Sequence, residues 1–356
     1  AQVAAAVRKA QASRALMPTH FARLLLGNRP LLRRETALAC SQLRWLRTQT
    51  QLDLRSEGGL QHGLLEWGSS GPLVLFFHAN SLCAGTWAPI IRRVPHIQAV
   101  ACDQRGHGET DAPEGDDAYQ WLIIGQDFLR IVKAITARFG KAPAACVTHS
   151  FAGDCALMAL AEEGQHPHTA ATNVGRMILL DPVLADAKGA SSGAARLAKG
   201  TRKLGEKEAE GFESEQAVGE ALERLLRPSL MRDELDMEAK AAFSAHGSRR
   251  DDGGRWRLRC NRNNEAAVYA NRIAIADHLA DKHVATDVHV VFASKRRGKV
   301  EDQAAAFKRD LREAERVVER CKLGSKVHLL EGVGHFLTLE APELVADAIS
   351  GLLPVA

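Results

Sequence analysis

Ala144-Ala145-Cys146-Val147-Thr148-His149-Ser150-Phe151-Ala152-Gly153-Asp154-Cys155-Ala156-Leu157 is the stretch that decides the fold. Its first four residues are a short apolar run that reads as a buried strand, and 151–163 reads as a helix rich in Ala and Leu. A strand that turns directly into a helix strains the residue at the corner and needs small neighbours. With Ser150 at that corner, the pattern is that of a nucleophile elbow, which lifts a hydroxyl clear of the sheet beside a helix N-terminus. The usual glycine flanks are replaced by Thr148 and Ala152, with Gly153 one position further on. A bare capping serine between strand and helix is the plainer alternative.

Upstream, 48–55 and 60–67 read as two strands joined through Gly58-Gly59. The continuous apolar run 72–78 reads as a central parallel strand. A helix is expected over 86–94, a strand over 98–102, and a long amphipathic helix over 119–139. Downstream, 176–180 is a strand ending at Asp181-Pro182. The alternation of strand and helix implies right-handed crossovers and a parallel sheet covered on both faces.

That rhythm breaks between Val183 and His283, where Ala, Glu, Lys and Arg dominate and helices are expected over 217–226 and 237–246. A turn-rich patch, Gly247-Ser248-Arg249-Arg250-Asp251-Asp252-Gly253-Gly254, interrupts them. An inserted helical segment after a sheet strand reads as a lid. The core resumes with a strand over 287–293, a charged helix over 300–321, a strand over 327–331 and a final helix over 342–353 with proline in its first turn. The expected organisation is a basic extension over 1–47, a core over 48–183 and 284–356, and a lid over 184–283.

The net charge of +4 is unevenly placed. Residues 1–47 hold nine Lys/Arg against one acid, Glu35, so the rest of the chain is mildly acidic and gives no reason to expect nucleic acid. An Arg-rich, acid-poor arm fits either a basic surface helix or a transit-like segment. Seven cysteines lie without a Cys-x-x-Cys pair, as expected of reduced thiols inside a cell, so cytoplasmic and organellar locations both stay open. The terminal Pro354-Val355-Ala356 is not a peroxisomal signal of the Ser-Lys-Leu kind. No apolar run suits a membrane span. No metal-ligand spacing and no phosphate-binding Gly-rich loop occurs, so no cofactor is expected. Lys199, Arg202, Lys203 and Lys207 read as a solvated helical face, with an anionic headgroup as the alternative.

Three further pieces bear on Ser150. His78-Ala79-Asn80 follows the central strand, and a tight loop there aims the Asn80 N–H at the elbow. Together with the Phe151 N–H it would hold an oxyanion, and the Asn80 side chain could add a donor. His335 lies between Gly334 and Phe336, just after Gly332, at the end of the last strand. An imidazole there can take the serine proton at neutral pH and return it to a leaving group. His78 and His149 read as structural neighbours of these motifs. The orienting acid has three candidates. After 287–293 the chain is basic, Ser294-Lys295-Arg296-Arg297-Gly298, and Glu301 and Asp302 open the following helix. Asp181, at the end of the preceding core strand, is the preferred one, with Asp302 next.

These motifs, with Asp103-Gln104-Arg105-Gly106-His107-Gly108, occur in the order and spacing of the α/β-hydrolase superfamily, which the chain resembles over about residues 60–183 and 284–356. The resemblance implies an α/β-hydrolase fold: a mostly parallel eight-stranded sheet, helices on both faces and an inserted helical lid. Asp181-Pro182-Val183-Leu184, His246-Gly247 and the run from Trp256 to Ala267 further resemble the subgroup of the yeast peroxisomal lipase and the fungal acyl-CoA hydrolase of the mycophenolic acid pathway. That implies an acid after the strand ending at Asp181, and bulky acyl substrates. The expected activity is hydrolysis of a carboxylic ester or thioester, with a small acyl compound as partner. Dehalogenase and epoxide-hydrolase relatives share the scaffold but use an aspartate where this chain has Ser150. A ligand-binding protein without catalysis, or a cofactor-free peroxidase or acyltransferase on the same triad, are the alternatives.

Overall fold

The computed structural model describes residues 48–165, 172–184, 193–294 and 300–354, the side chains of 300–303 excepted. The basic arm over 1–47, the basic residues 295–298 and the side chains of Glu301 and Asp302 lie outside that description.

Strands β1 (Thr48–Asp53) and β2 (Gln61–Trp67) pair antiparallel through the Gly58-Gly59 turn. β3 (Leu73–Phe77) follows, then the short helix α1 (Ala88–Ile91) and β4 (Gln98–Cys102). α2 (Trp121–Phe139), β5 (Ala145–His149), α3 (Phe151–Gly164) and β6 (Arg176–Leu180) continue the alternation. The helix expected over 86–94 is instead a 3-10 turn, Ala84–Trp87, running into the single turn of α1. Pro89 has no N–H to bond back across the junction, so the α-helix begins there and Pro95 stands just beyond it.

Among the described residues, five α-helices lie between β6 and the next strand of the main sheet: α4 (Ala194–Lys207), α5 (Glu215–Leu226), α6 (Met237–Gly247), α7 (Arg262–Ala270) and α8 (Ile275–His278). The turn-rich patch closes a small hairpin, β7 (Ser248–Arg250) with β8 (Trp256–Leu258). The chain then completes the sheet with β9 (Asp287–Ala293), α9 (Val300–Val318) and β10 (Lys326–Leu330), and ends with α10 (Leu337–Glu340) and α11 (Pro342–Leu352).

The eight strands of the main sheet lie in the order β1-β2-β4-β3-β5-β6-β9-β10. β1–β2 and β2–β4 are antiparallel, and every other pair is parallel. The inner strands of the sheet are buried on both faces because they are apolar at successive positions, whereas the edge strands β1 and β10 are exposed or half-buried. Leu73, Leu75 and Phe77 of β3 face the cluster under α2 and α3, whereas Val74 and Phe76 face the cluster under α1 and α11. Burying one such side chain contributes about 1.5–3 kcal/mol. A third cluster joins Leu82 and Cys83 of the core to Val218, Leu222 and Phe243 of the insertion. The carboxyl ends of β3, β5 and β6 lie side by side beneath the insertion, where open α/β sheets leave room for ligands.

Candidate active site

Ser150 sits one residue beyond β5 and still keeps the sheet ladder, its N–H bonding to the Leu180 carbonyl at 2.9 Å. Its backbone is at φ 59, ψ −136, a conformation that costs about 1–3 kcal/mol in a non-glycine residue. Its side chain makes no capping bond to α3, so the capping-serine alternative is set aside. The small residue that permits the close approach is Gly153: a Cβ there would lie 2.9 Å from Thr148 Oγ1 and 3.0 Å from Leu179 Cγ. The elbow thus takes its glycine one residue late, and Thr148 fills the space opposite.

Ser150 Oγ lies 3.0 Å from His335 Nε2. His335 Nδ1–H donates to Asp181 Oδ2 at 2.7 Å, and the Ala293 N–H donates to Asp181 Oδ1 at 2.9 Å. Asp181 is one residue beyond β6, its N–H bonding to the Val291 carbonyl, and takes a positive φ of 39. The chain therefore delivers Ser150 and Asp181 from neighbouring strands, while His335 arrives on the loop after β10. The bond to Asp181 puts the proton on Nδ1 and leaves the Nε2 lone pair facing Ser150. Asp302 lies in the first turn of α9, and its side chain is outside the described residues.

Asn80 lies three residues beyond β3, on the other side of β5. Ser81, at φ 71, makes the tight turn. The Ser81 N–H is shared between Asn80 Oδ1 at 3.1 Å and His107 Nε2 at 3.2 Å. The Asn80 amide Nδ2 donates to the Glu265 carbonyl of α7 at 3.0 Å, so this side chain ties the loop to the insertion. The backbone N–H of Asn80 enters no backbone hydrogen bond among the described residues. Phe151 opens α3, and its N–H is one of those a helix leaves without an internal partner. Both residues line the cavity that holds Ser150.

Several supporting groups were not marked as functional by sequence. His149 Nε2–H donates to the His335 carbonyl at 2.8 Å, and its Nδ1 accepts from Thr338 at 3.2 Å. Burial pushes His149 down to about 3, with His335 beside it, so the ring stays neutral. The Glu340 carboxylate accepts the Gly334 N–H and, at 2.7 Å, the Met231 N–H. Gly334 is itself required, since a Cβ would meet the Ser229 carbonyl at 2.7 Å. Asp154, in the first turn of α3, accepts the N–H groups of Val183 and Leu184 at 2.9 and 3.0 Å and so fixes the loop after Asp181. Burial lifts Asp154 to about 6 and Asp103 to about 7. Asp103 braces the opposite loop by accepting the Ala84 N–H at 2.7 Å. His78 is buried and neutral, accepting from the Gln104 N–H at 3.1 Å and donating to the Ala79 carbonyl at 2.8 Å.

Ser150, Asp181 and His335 line a cavity of about 280 Å³, walled by Trp121, Val183, Val268 and Phe336 and also reached by Arg272. A second cavity of about 650 Å³ shares Leu197, Ser229, Tyr269 and Phe336 with it. Leu222, Leu225 and Leu226 lie along that second cavity beside Arg196, Lys203 and Lys207. Of the cations of the inserted segment singled out by sequence, Arg202 pairs with Asp116 at 2.6 Å. Lys199 is exposed. Among the described residues no group of three or more His, Cys, Asp or Glu side chains is arranged to hold a metal ion, and no helix is long and apolar enough to cross a membrane.

The model of the alpha/beta hydrolase family matches residues 74–348. No curated protein matches the sequence. Among solved structures, E-2-(acetamidomethylene)succinate hydrolase is similar at 20% identity and a TM-score of 0.63, over 86% of this chain and 98% of that one. An esterase of M. tuberculosis is similar at 22% identity and a TM-score of 0.59, over 86% and 92%. The epoxide hydrolase CorEH is similar at 17% identity and a TM-score of 0.58, over 85% and 97%. At these identities the likeness is one of fold.

Proposed function

From the premise that the chain belongs to the alpha/beta hydrolase family, we propose that it is a serine hydrolase of carboxylic esters or thioesters. The observation that carries this reading is the relay from Ser150 Oγ to His335 Nε2 at 3.0 Å and from His335 Nδ1 to Asp181 Oδ2 at 2.7 Å. In the proposed reaction His335 takes the Ser150 proton as Oγ attacks the acyl carbon. Asp181 holds the imidazole in the required tautomer and stabilises the imidazolium that forms. The backbone N–H groups of Asn80 and Phe151 receive the developing oxyanion, a role in which one donor contributes about 3–4 kcal/mol. His335 then passes the proton to the leaving alcohol or thiol, and an activated water releases the acid from Ser150.

In this reading the segment 184–283 is a lid over the cleft and 48–183 with 284–356 is the hydrolase core. The neighbouring 650 Å³ cavity, apolar along Leu222, Leu225 and Leu226, supports a bulky acyl group of the kind implied by resemblance to the peroxisomal lipase and acyl-CoA hydrolase subgroup. The compartment is proposed as intracellular, with the basic arm over 1–47 as a transit-like segment or a surface helix.

A fluorophosphonate probe tests the assignment. The protein is expected to label on Ser150, and Ser150→Ala is expected to abolish both labelling and p-nitrophenyl ester hydrolysis. Absence of labelling in folded protein overturns the enzyme reading in favour of a ligand-binding role.

A further inference from the structure

The buried or half-buried arginines outside the cavity are paired. Arg105 meets Asp127 at 2.6 Å, Arg176 meets Asp287 at 2.6 Å, and Arg262 is held by Glu208 at 2.8 Å and Glu265 at 2.6 Å. Arg272 differs. It follows α7 and lines the same cavity as Ser150 and His335. Its guanidinium has no ion pair or hydrogen bond among the described residues, and its Nε is buried without a partner.

Other charged groups nearby do not account for it. Asp154 acts on Arg272 only at a distance, and its two carboxylate oxygens already receive the Val183 and Leu184 N–H groups. Asp310, on the cavity wall, is bonded to Arg309 at 3.0 Å. Burial works against the Arg272 charge, and Asp154 and Tyr269 offset this only in part. A half-buried cation with no partner among the described residues, in a cavity walled by Trp121, Val183, Val268 and Phe336, is costly unless something with opposite charge occupies that cavity. The planar guanidinium fork matches a carboxylate in two parallel hydrogen bonds, and an apolar wall strengthens them.

We propose that Arg272 is a specificity residue that receives a carboxylate carried by the substrate, so that the preferred ester or thioester is anionic. This rests on the serine-hydrolase reading above. The carboxylate can belong to the acyl half or to the leaving half, and the two sources are separable by experiment.

One arm compares mono-p-nitrophenyl esters of dicarboxylic acids of about four to eight carbons with neutral alkanoates of matched length. The other compares acyl esters of 4-hydroxybenzoate with those of 4-hydroxybenzamide. In at least one arm the wild-type protein is expected to favour the charged member in kcat/KM by about tenfold or more. Arg272→Met is expected to erase that preference through KM by about ten- to a hundredfold, with the neutral ester changed less than about threefold. Fluorophosphonate labelling of Ser150 in Arg272→Met should persist. A wild-type preference for the neutral member in both arms overturns the proposal. So does an equal fall of charged and neutral substrates in Arg272→Met, which assigns the arginine to balancing Asp154. Thermal stabilisation by adipate supplies a readout free of catalysis: it is expected in wild type and lost in Arg272→Met and, in large part, in Arg272→Lys. If Ser150 neither labels nor turns over any ester, the hydrolase reading fails, and adipate binding alone then decides the role of Arg272.

Discussion

His149 donates its Nε2–H to the backbone carbonyl of His335 at 2.8 Å, so the residue just before the elbow serine anchors the loop that carries the imidazole. Replacing it by alanine strands that carbonyl and the Thr338 hydroxyl, at a cost of about 1–3 kcal/mol. His149→Gln can restore both bonds, and its kcat is expected to recover most of what His149→Ala loses. Equal losses in the two variants would rule out the anchoring role.

The same ring makes a pH prediction. His149 sits at about 3 in the folded protein against an ordinary value of 6.5, so the unfolded chain binds a proton that the folded one refuses. Its contribution is complete above pH 6.5 and is lost as pH falls toward about 3. His149→Gln should therefore flatten the dependence of unfolding free energy on pH by about 1.4 kcal/mol per unit across that window. Urea titrations of wild type and variant at pH 7, 5.5 and 4.5 measure it. Parallel pH profiles would show that His149 does not titrate with folding.

Asp181 accepts from His335 while its other oxygen holds the Ala293 N–H, so the carboxylate cannot rotate without breaking a second bond. Asp181→Asn is expected to lower kcat by roughly four orders of magnitude by favouring the wrong tautomer, with little change in melting temperature. Asp302→Asn is expected to leave kcat within about twofold, since Asp181 already holds the orienting place beside His335 Nδ1. Steady-state kinetics on one p-nitrophenyl ester compares them, and the reverse ranking would move the acid to α9.

Much of the fold was legible, and with it the three positions proposed to react, because their signals are local. Apolar runs such as 72–78 mark strands wherever they stand, and Ser150, Asp181 and His335 each lie at or just beyond a strand end. What sequence could not reveal depends on contacts across long separations. The Asn80 amide bonds to the carbonyl of Glu265, 185 residues away, a contact that no local pattern announces. Arg272 looks like any arginine of an Arg-rich segment until the fold sets it in the cavity with Ser150. The patch around Gly253-Gly254 signalled turns, but the strand partner of Ser248–Arg250 has too few residues to announce itself.

Because the Asn80 side chain bonds to the insertion while the oxyanion donor proposed above is its backbone N–H, Asn80→Ala separates the two roles. The backbone N–H survives the substitution while the bond to the Glu265 carbonyl is lost. A rise in KM with kcat reduced less than about tenfold is expected. A fall in kcat of about a hundred- to a thousandfold with KM unchanged would instead assign the side chain to the oxyanion.

Thr148 and Gly153 together set the elbow. Thr148 Oγ1 is buried without a hydrogen-bond partner, and it is the atom that a Cβ on residue 153 would strike at 2.9 Å. Thr148→Val removes the stranded hydroxyl at nearly constant volume and is expected to stabilise the protein by about 1 kcal/mol. Gly153→Ala is expected to cost about 1–3 kcal/mol, since both the Thr148 side chain and Leu179 must move. In the background of Thr148→Ala the first of those clashes disappears, so the two substitutions should couple by about 1 kcal/mol or more. Denaturant unfolding of the four proteins in this cycle measures the coupling. Strict additivity would mean that Leu179, and not Thr148, limits the approach of α3 to β5, and that the elbow would accept alanine only with a smaller residue on β6.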